Sequence, residues 1–149
     1  MSHHIDILKW IDKEIRDGRN DTIHDILAFL AEQMIEMNKA KNEEIKGFLK
    51  WLEREIGAEI DALTNKTAIK EYHEHSFEEF LVLLKKNKNK ISIDPSDRKK
   101  QELLEKDFTK SIAALEPLKE KIKATDELID EIVYKLYGLN EEEVGVVEA

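Results

Sequence analysis

Cysteine is absent from this chain of 149 residues, which excludes disulfide bridges and thiolate metal sites within it. Proline occurs twice and glycine five times, too rarely for the many tight turns of a β-sandwich or a β-barrel. No apolar run approaches the roughly 20 residues that a membrane-spanning helix needs, and the polar N-terminus is not a signal peptide. We therefore expect a cytoplasmic protein with no membrane partner.

The charge balance narrows the class of protein further. Charged residues make up 38% of the chain and hydrophobic residues 41%, a balance typical of helices that keep one face in water. The net charge is −9, whereas a free-standing nucleic-acid binder usually carries a surplus of Lys and Arg that replaces the phosphate counterions. Any contact with DNA must then be local and weak, or be made by another part of a larger protein.

Hydrophobic periodicity predicts helices in the first half of the chain. Apolar residues at helical spacing indicate a short helix over residues 5–16 and a long helix over residues 22–63. Within the long stripe, Met37 and Ile45 are eight residues apart where a strict heptad would give seven. The polar stretch at residues 38–44 is therefore expected to kink or interrupt this helix.

A connector and a short helix come next. Residues 64–75 show weak periodicity and are expected to be a connector. Ser76 followed three residues later by Glu79 has the pattern of a capping box, so a helix is expected over residues 76–86.

The last long helix is expected over residues 95–137. Pro95 suits the first helical position, and the apolar phase carries across Pro117, which predicts a kink there rather than an end. Gly138 should close this helix, and residues 138–149 read as an acidic tail.

The two long stripes together determine the expected fold. Each stripe alone would leave about a dozen large apolar side chains in water, at roughly 1.5–3 kcal/mol apiece, and mutual packing removes that cost. We expect one all-α domain over residues 1–149, an elongated antiparallel helical hairpin or bundle with coiled-coil-like seams and a short connecting helix.

One segment is rich in cations. Seven Lys or Arg residues stand against two Asp in residues 85–100. One interpretation is a solubilising loop, and the other is a phosphate contact without base specificity, since no aromatic side chain is interleaved for stacking. The candidate contact residues are Lys85, Lys86, Lys88, Lys90, Arg98, Lys99 and Lys100.

The only cluster with metal-ligand residue types surrounds His73 and His75. Such spacing places two ligands on one face of a strand but on opposite sides of a helix, so a solvated connector is the favoured interpretation. A small metal- or carboxylate-dependent enzyme is the alternative. The sequence has no phosphate-binding glycine loop, nucleophile elbow or His-Glu-x-x-His motif. We therefore predict no catalytic, cofactor-binding or metal-binding residue.

Three segments carry a resemblance to a known family. They are ILAFLAEQMIEMN at residues 26–38, FLKWLEREIG at residues 48–57, and residues 126–144, where IDEIVYKLYGL is followed by a run of glutamates. Together they resemble the helical C-terminal region of type IIG restriction–modification enzymes, which are adenine-specific DNA methyltransferases. The resemblance covers most of residues 22–148.

The resemblance implies a module without chemistry of its own. The family's Asn/Asp-Pro-Pro-Tyr/Phe motif is absent, since neither Pro95 nor Pro117 has a proline neighbour. S-adenosylmethionine would then bind only to a catalytic domain of the parent enzyme outside these residues. The implied role is a spacer or docking element beside the target-recognition region, with the parent's other domains as partners. The alternative is a stand-alone helical interaction module that forms homo-oligomers through its seams.

Overall fold

The computed structural model describes the backbone of residues 2–138 and the side chains of residues 6–138. In that part of the chain, all regular elements are helical, which confirms the all-α fold class. The α-helices are α1 (Ser2–Arg16), α2 (Asn20–Ile56), α3 (Lys66–Lys70), α4 (Phe77–Lys85) and α5 (Arg98–Leu136). Two short 3-10 turns, Ile60–Ala62 and Tyr72–Glu74, lie on either side of α3.

Helix α2 continues through residues 38–44, where the sequence predicted a kink or interruption. This stretch contains Lys, Ala and Glu, which are among the best helix formers, so the local preference favours continuation. The Asn38 side chain also donates a hydrogen bond to the carbonyl oxygen of Met34 at 2.9 Å. The stutter in the apolar stripe therefore leaves the hydrogen-bonded helix unbroken.

The end of α2 lies at Ile56, before the predicted end at Leu63. Gly57 adopts a left-handed conformation with φ of +66°, which a glycine reaches without the steric penalty of a Cβ atom. The terminal carbonyl of Ile56 accepts hydrogen bonds from the backbone N–H and the hydroxyl of Ser92, at 2.7 and 3.0 Å. Ile60 and Leu63 are buried, as the stripe predicted, but on the chain that follows the helix.

The segment predicted as a connector, residues 64–75, contains α3 and a 3-10 turn. Helix α4 then begins at Phe77 with the predicted capping box. The backbone N–H of Glu79 donates to the Ser76 hydroxyl at 3.2 Å, and the Ser76 N–H donates back to the Glu79 carboxylate at 3.4 Å.

Helix α5 begins at Arg98 and not at Pro95. Two aspartates shape the turn before it. The Asp94 carboxylate accepts from the Ser96 N–H at 2.9 Å, and the Asp97 carboxylate accepts from the Lys100 N–H at 3.1 Å. The N-cap role therefore falls to Asp97, because its side chain satisfies a free N–H of the first helical turn.

The carboxyl end of α5 lies within one residue of the predicted end at residue 137. Pro117 lies inside the helix, which continues to Leu136. Gly138 follows in a left-handed conformation with φ of +67°. An acidic tail was predicted over residues 138–149. Residues 139–149 of this prediction lie outside the described residues.

Contacts group the chain into two compact units, each with its own core. Unit 1 comprises Met1–Asn38 and Glu120–Ala149, and unit 2 comprises Lys39–Lys119. The core of unit 1 is aliphatic and joins α1, α2 and α5 through Ile11, Ile23, Leu128 and Ile132. The single domain over residues 1–149 stays a prediction.

Unit 2 has an aromatic core that positions the candidate site. Phe48 of α2 stacks on Tyr72 with ring centroids 4.1 Å apart, and its centroid is 6.3 Å from that of Phe108 of α5. Ile56, later in α2, is hydrogen-bonded to Ser92, which precedes α5. The later residue of α2 thus contacts the chain before α5, and the earlier residue of α2 contacts α5 itself. The two helices are therefore antiparallel within this unit.

No helix in the described part of the chain is long and apolar enough to cross a membrane.

Candidate phosphate-contact surface

The seven cations singled out from the sequence fall into two groups in unit 2, together called here the cationic corner. The first group lies at the carboxyl end of α4. Lys85 is the last residue of that helix, and Lys86, Lys88 and Lys90 lie in the turn that follows it. The second is the first turn of α5, residues 98–100. Both groups are exposed except for the half-buried Lys100. In the described residues, no hydrogen bond or ion pair joins the two groups.

The first group has a partly structural explanation. Lys85 and Lys86 stand at the carboxyl end of α4, where cations stabilise the negative end of the helix dipole. Lys90 donates a hydrogen bond to the Thr64 hydroxyl at 3.2 Å, which ties its ammonium to the preceding connector. Lys88 is exposed, and no described carboxylate forms an ion pair with it.

The second group has the opposite electrostatic relation to its helix. Arg98, Lys99 and Lys100 lie at the N-terminus of α5, where the helix dipole is positive and a cation is disfavoured by about 0.3–1 kcal/mol. The Arg98 guanidinium contacts the Glu102 carboxylate at 3.0 Å in an exposed pair, and Asp97 caps the helix. Helix stability alone therefore does not explain three successive cations at this end.

A buried asparagine fixes the turn that carries the lysines. Asn87 is only 1% exposed, although it stands between exposed lysines in the sequence. Its side chain accepts a hydrogen bond from the Thr64 N–H at 2.8 Å and donates to the Thr64 carbonyl at 3.0 Å. The same amide nitrogen donates to the Leu83 carbonyl at 2.9 Å. The two bonds to Thr64 hold the turn against a connector segment 23 residues away in sequence, and the bond to Leu83 ties the turn to α4.

The chain beyond the turn is fixed as well. Ile91 and Ile93 pack against the core of unit 2, and Ser92 between them is hydrogen-bonded to the end of α2. The lysines of the turn therefore project from a backbone that is anchored on both sides. The sequence does not single out Asn87, since nothing in its neighbours distinguishes a buried asparagine from an exposed one.

His73 and His75 make separate side-chain contacts in the structure. The His73 side chain is one-tenth exposed, and its Nδ1 lies 3.2 Å from the Glu74 carboxylate without the geometry of a hydrogen bond. Lys119 donates to the His73 carbonyl at 3.2 Å and pairs with Glu74 at 3.1 Å. His75 instead contacts the Glu79 carboxylate at 3.2 Å. Among the residues whose side chains are described, no group of three or more metal-ligating side chains converges.

A buried hydroxyl pair lies close to this cluster. The Tyr72 hydroxyl and the Ser111 hydroxyl are 2.6 Å apart within the core of unit 2. Burial raises the pKa of Tyr72 to about 12, and the nearby Glu44 carboxylate acts in the same direction. The bond to Ser111 acts against burial but does not offset it. This pair satisfies two polar groups that would otherwise be buried without partners.

These features define an all-α protein with an anchored cationic turn and a cation-rich helix start. The chain belongs to a family described as Domain of unknown function (DUF8810), whose model matches residues 20–133. No curated protein and no solved structure matches it. The matched region contains the whole cationic corner and the core of unit 2, and it begins at the first residue of α2.

Proposed function

We propose that this chain is a non-catalytic helical domain that contacts the phosphate backbone of DNA through its cationic corner. The observation that carries the proposal is the anchored turn, in which Asn87 is buried and bonded three times while the lysines beside it are exposed. An anchored backbone limits the chain entropy that is lost when the lysines meet a ligand. The cations at the start of α5 support the same role.

The expected contact is local and sensitive to salt. The chain as a whole carries a charge of −9, so long-range attraction to DNA is weak. Phosphate contacts position a protein on a duplex but do not read its sequence. The proposed role is therefore positioning, and base recognition is left to another part of the assembly.

The resemblance described above supplies the setting of this proposal. In that setting the chain is a spacer or docking element beside the target-recognition region of a restriction–modification methylase in the cytoplasm. Its partners are the other domains of that enzyme. Methyl transfer and S-adenosylmethionine belong to the parent's catalytic domain, and this chain contributes none of the reacting groups.

A salt titration with a charge variant tests the DNA contact. Fluorescence anisotropy with a labelled duplex of about 20 base pairs would follow binding of the wild type and of a variant with Lys86, Lys88 and Lys90 changed to alanine. Each phosphate contact contributes about 0.9 to the slope of log K against log salt. We expect the slope to fall by up to about 2.7 in the variant.

The matched control changes three exposed lysines elsewhere in unit 2, Lys39, Lys46 and Lys106, to alanine. Both variants lower the net charge by the same amount, so a general charge effect would weaken them equally. Equal binding by the two variants, or unchanged binding by both, would refute the proposed contact.

The second candidate function is a protein–protein interaction module. Unit 1 exposes large apolar side chains on α2, with Phe29 58% and Ile35 67% exposed. The six-residue spacing places them on different sides of the helix, at about 120° from each other. They do not form one continuous patch, and isolated exposed apolar residues are common on protein surfaces. This candidate therefore ranks second.

Sedimentation at several concentrations distinguishes the second candidate. A module that forms homo-oligomers through these side chains should show a mass that increases with concentration. Changing Phe29 and Ile35 to serine should abolish that increase. A monomer at all concentrations would eliminate self-association as the function.

A further inference from the structure

The bonds of Asn87 bring a second segment of the chain to the cationic corner. Its side-chain amide pairs with both the N–H and the carbonyl of Thr64. Lys66, the first residue of α3, follows Thr64 by two positions and is exposed. A lysine from a segment that sequence reasoning treated as a connector is thus held beside the turn.

The neighbouring helix contacts support this placement. Helix α3 packs on α4, whose carboxyl end leads into the lysine turn. Lys90 reaches back to the Thr64 hydroxyl at 3.2 Å, so the turn and the start of α3 are linked by side chains from both directions. Cations of the two segments therefore share one edge of unit 2.

The two lysines of α3 differ in their pairing. Lys70 forms an ion pair with Asp61 at 2.5 Å, and this bond is the main reason that the pKa of Asp61 is lowered. Lys66 makes no such bond in the described structure and lies only within electrostatic range of Asp61. The Lys66 ammonium is therefore available to a ligand, whereas that of Lys70 is already occupied.

We propose that Lys66 is a further phosphate contact, and that Asn87 is the positioning residue that joins it to Lys88 and Lys90 in one site for a nucleic-acid backbone. The inference rests on the proposed function and extends it to a residue outside residues 85–100. Lysines from two separate segments suit a linear polyanion, which presents successive phosphates to each of them.

Two single variants of α3 test the contact. Lys66→Ala and Lys70→Ala remove the same charge from two exposed positions of the same helix, so they form a matched pair. In the duplex-binding assay, Lys66→Ala should lower the salt slope by about 0.9, equivalent to about eightfold weaker binding at 0.1 M salt. Lys70→Ala should leave the slope unchanged because its charge is already paired.

A third variant tests the positioning role. Asn87→Ala keeps every cation but removes the three bonds that anchor the turn. We expect weaker binding with an unchanged salt slope, measured on protein whose helical circular dichroism equals that of the wild type. Should that variant not fold, the comparison of Lys66→Ala with Lys70→Ala still decides the inference, because both positions are exposed.

The outcomes separate this inference from the proposed function. Equal behaviour of the two α3 variants, with loss of binding in the triple-lysine variant, would overturn the inference and leave the proposed function standing. No loss in the triple-lysine variant relative to its control would overturn the proposed function itself. Displacement of the duplex by inorganic phosphate at constant ionic strength would indicate a site for a single anion and would also overturn the inference.

Discussion

Replacing Gly57 with alanine should destabilise unit 2 through two separate effects. Gly57 ends α2 with φ of +66°, a conformation that residues with a Cβ atom rarely adopt. A Cβ atom built there would lie 2.9 Å from the Ser92 Cβ and closer still to the Ser92 hydroxyl oxygen. Ser92 is anchored by two hydrogen bonds to the Ile56 carbonyl, so it cannot move away without losing them.

The magnitude follows from adding the two effects. The left-handed conformation costs a residue with a Cβ about 1–2 kcal/mol. Forcing an extra carbon into packed surroundings costs about 1–3 kcal/mol more. We therefore expect Gly57→Ala to lower the free energy of unfolding by about 2–5 kcal/mol, a large fraction of the 5–15 kcal/mol typical of a folded domain.

Two other glycines provide matched controls. Gly18 has φ of +74° but open space around its added Cβ, so Gly18→Ala should show the conformational cost alone, about 1–2 kcal/mol. Gly47 lies inside α2 with open space and no positive φ, so Gly47→Ala should stabilise the protein by about 0.5–1 kcal/mol.

Urea unfolding followed by circular dichroism measures all three variants. The expected order of stability is Gly47→Ala, wild type, Gly18→Ala and then Gly57→Ala. Adding Ser92→Gly to Gly57→Ala should recover part of the loss, because it removes the side chain that clashes. Equal losses at Gly57 and Gly18 would refute the steric part of the reasoning, and no loss at either would refute the conformational part.

Two further predictions concern buried titratable groups of unit 2. Because burial raises the pKa of Tyr72 to about 12, its stabilising contribution is complete below about pH 10 and is lost as the pH rises through 12. Tyr72→Phe should remove this decline in the free energy of unfolding, measured by urea unfolding at high pH. Near neutral pH the variant should lose about 1–2 kcal/mol of stability, because the Ser111 hydroxyl is left without its partner. An unchanged decline at high pH would show that another group causes it. Burial, and next the Lys119 ammonium, lower the pKa of His73, so the stability that it contributes is present above about pH 6.5 and is lost as the pH falls through the lowered value. His73→Gln should reduce this loss of stability at acidic pH, whereas His24→Gln, at an exposed position of α2, should not. A pKa of the His73 ring at or above the ordinary histidine value, measured by NMR titration, would contradict the argument.

The sequence predicted the helices well because their signals are local. The apolar stripes predicted the fold class and the presence of both long helices. The capping box at Ser76 gave the start of α4 within one residue. Each of these signals depends on side chains a few positions apart, which the sequence displays directly.

The helix ends were predicted less well, and a long-range contact explains one of them, the end of α2. Gly57 is only one of several weak helix positions until Ser92 bonds to the carbonyl before it. The start of α5 lies at Arg98 and not at Pro95 for a local reason, because the Asp97 side chain accepts a hydrogen bond from the Lys100 N–H in the first helical turn. The segment predicted as a connector contains α3, and its Tyr72 is buried because the ring stacks on Phe48 in the aromatic core of unit 2.

The cationic corner shows the same division between local and long-range information. The sequence by itself determined that this chain is helical, acidic overall and locally basic in residues 85–100, since composition and periodicity need no knowledge of distant contacts. Only the tertiary structure decided that Asn87 is buried, that its side chain reaches the Thr64 backbone, and that Lys66 thereby joins the same edge. The physical reason is that the side-chain amide of an asparagine can form hydrogen bonds either with water or with the backbone of a distant residue. Only the folded chain determines which of these partners it has.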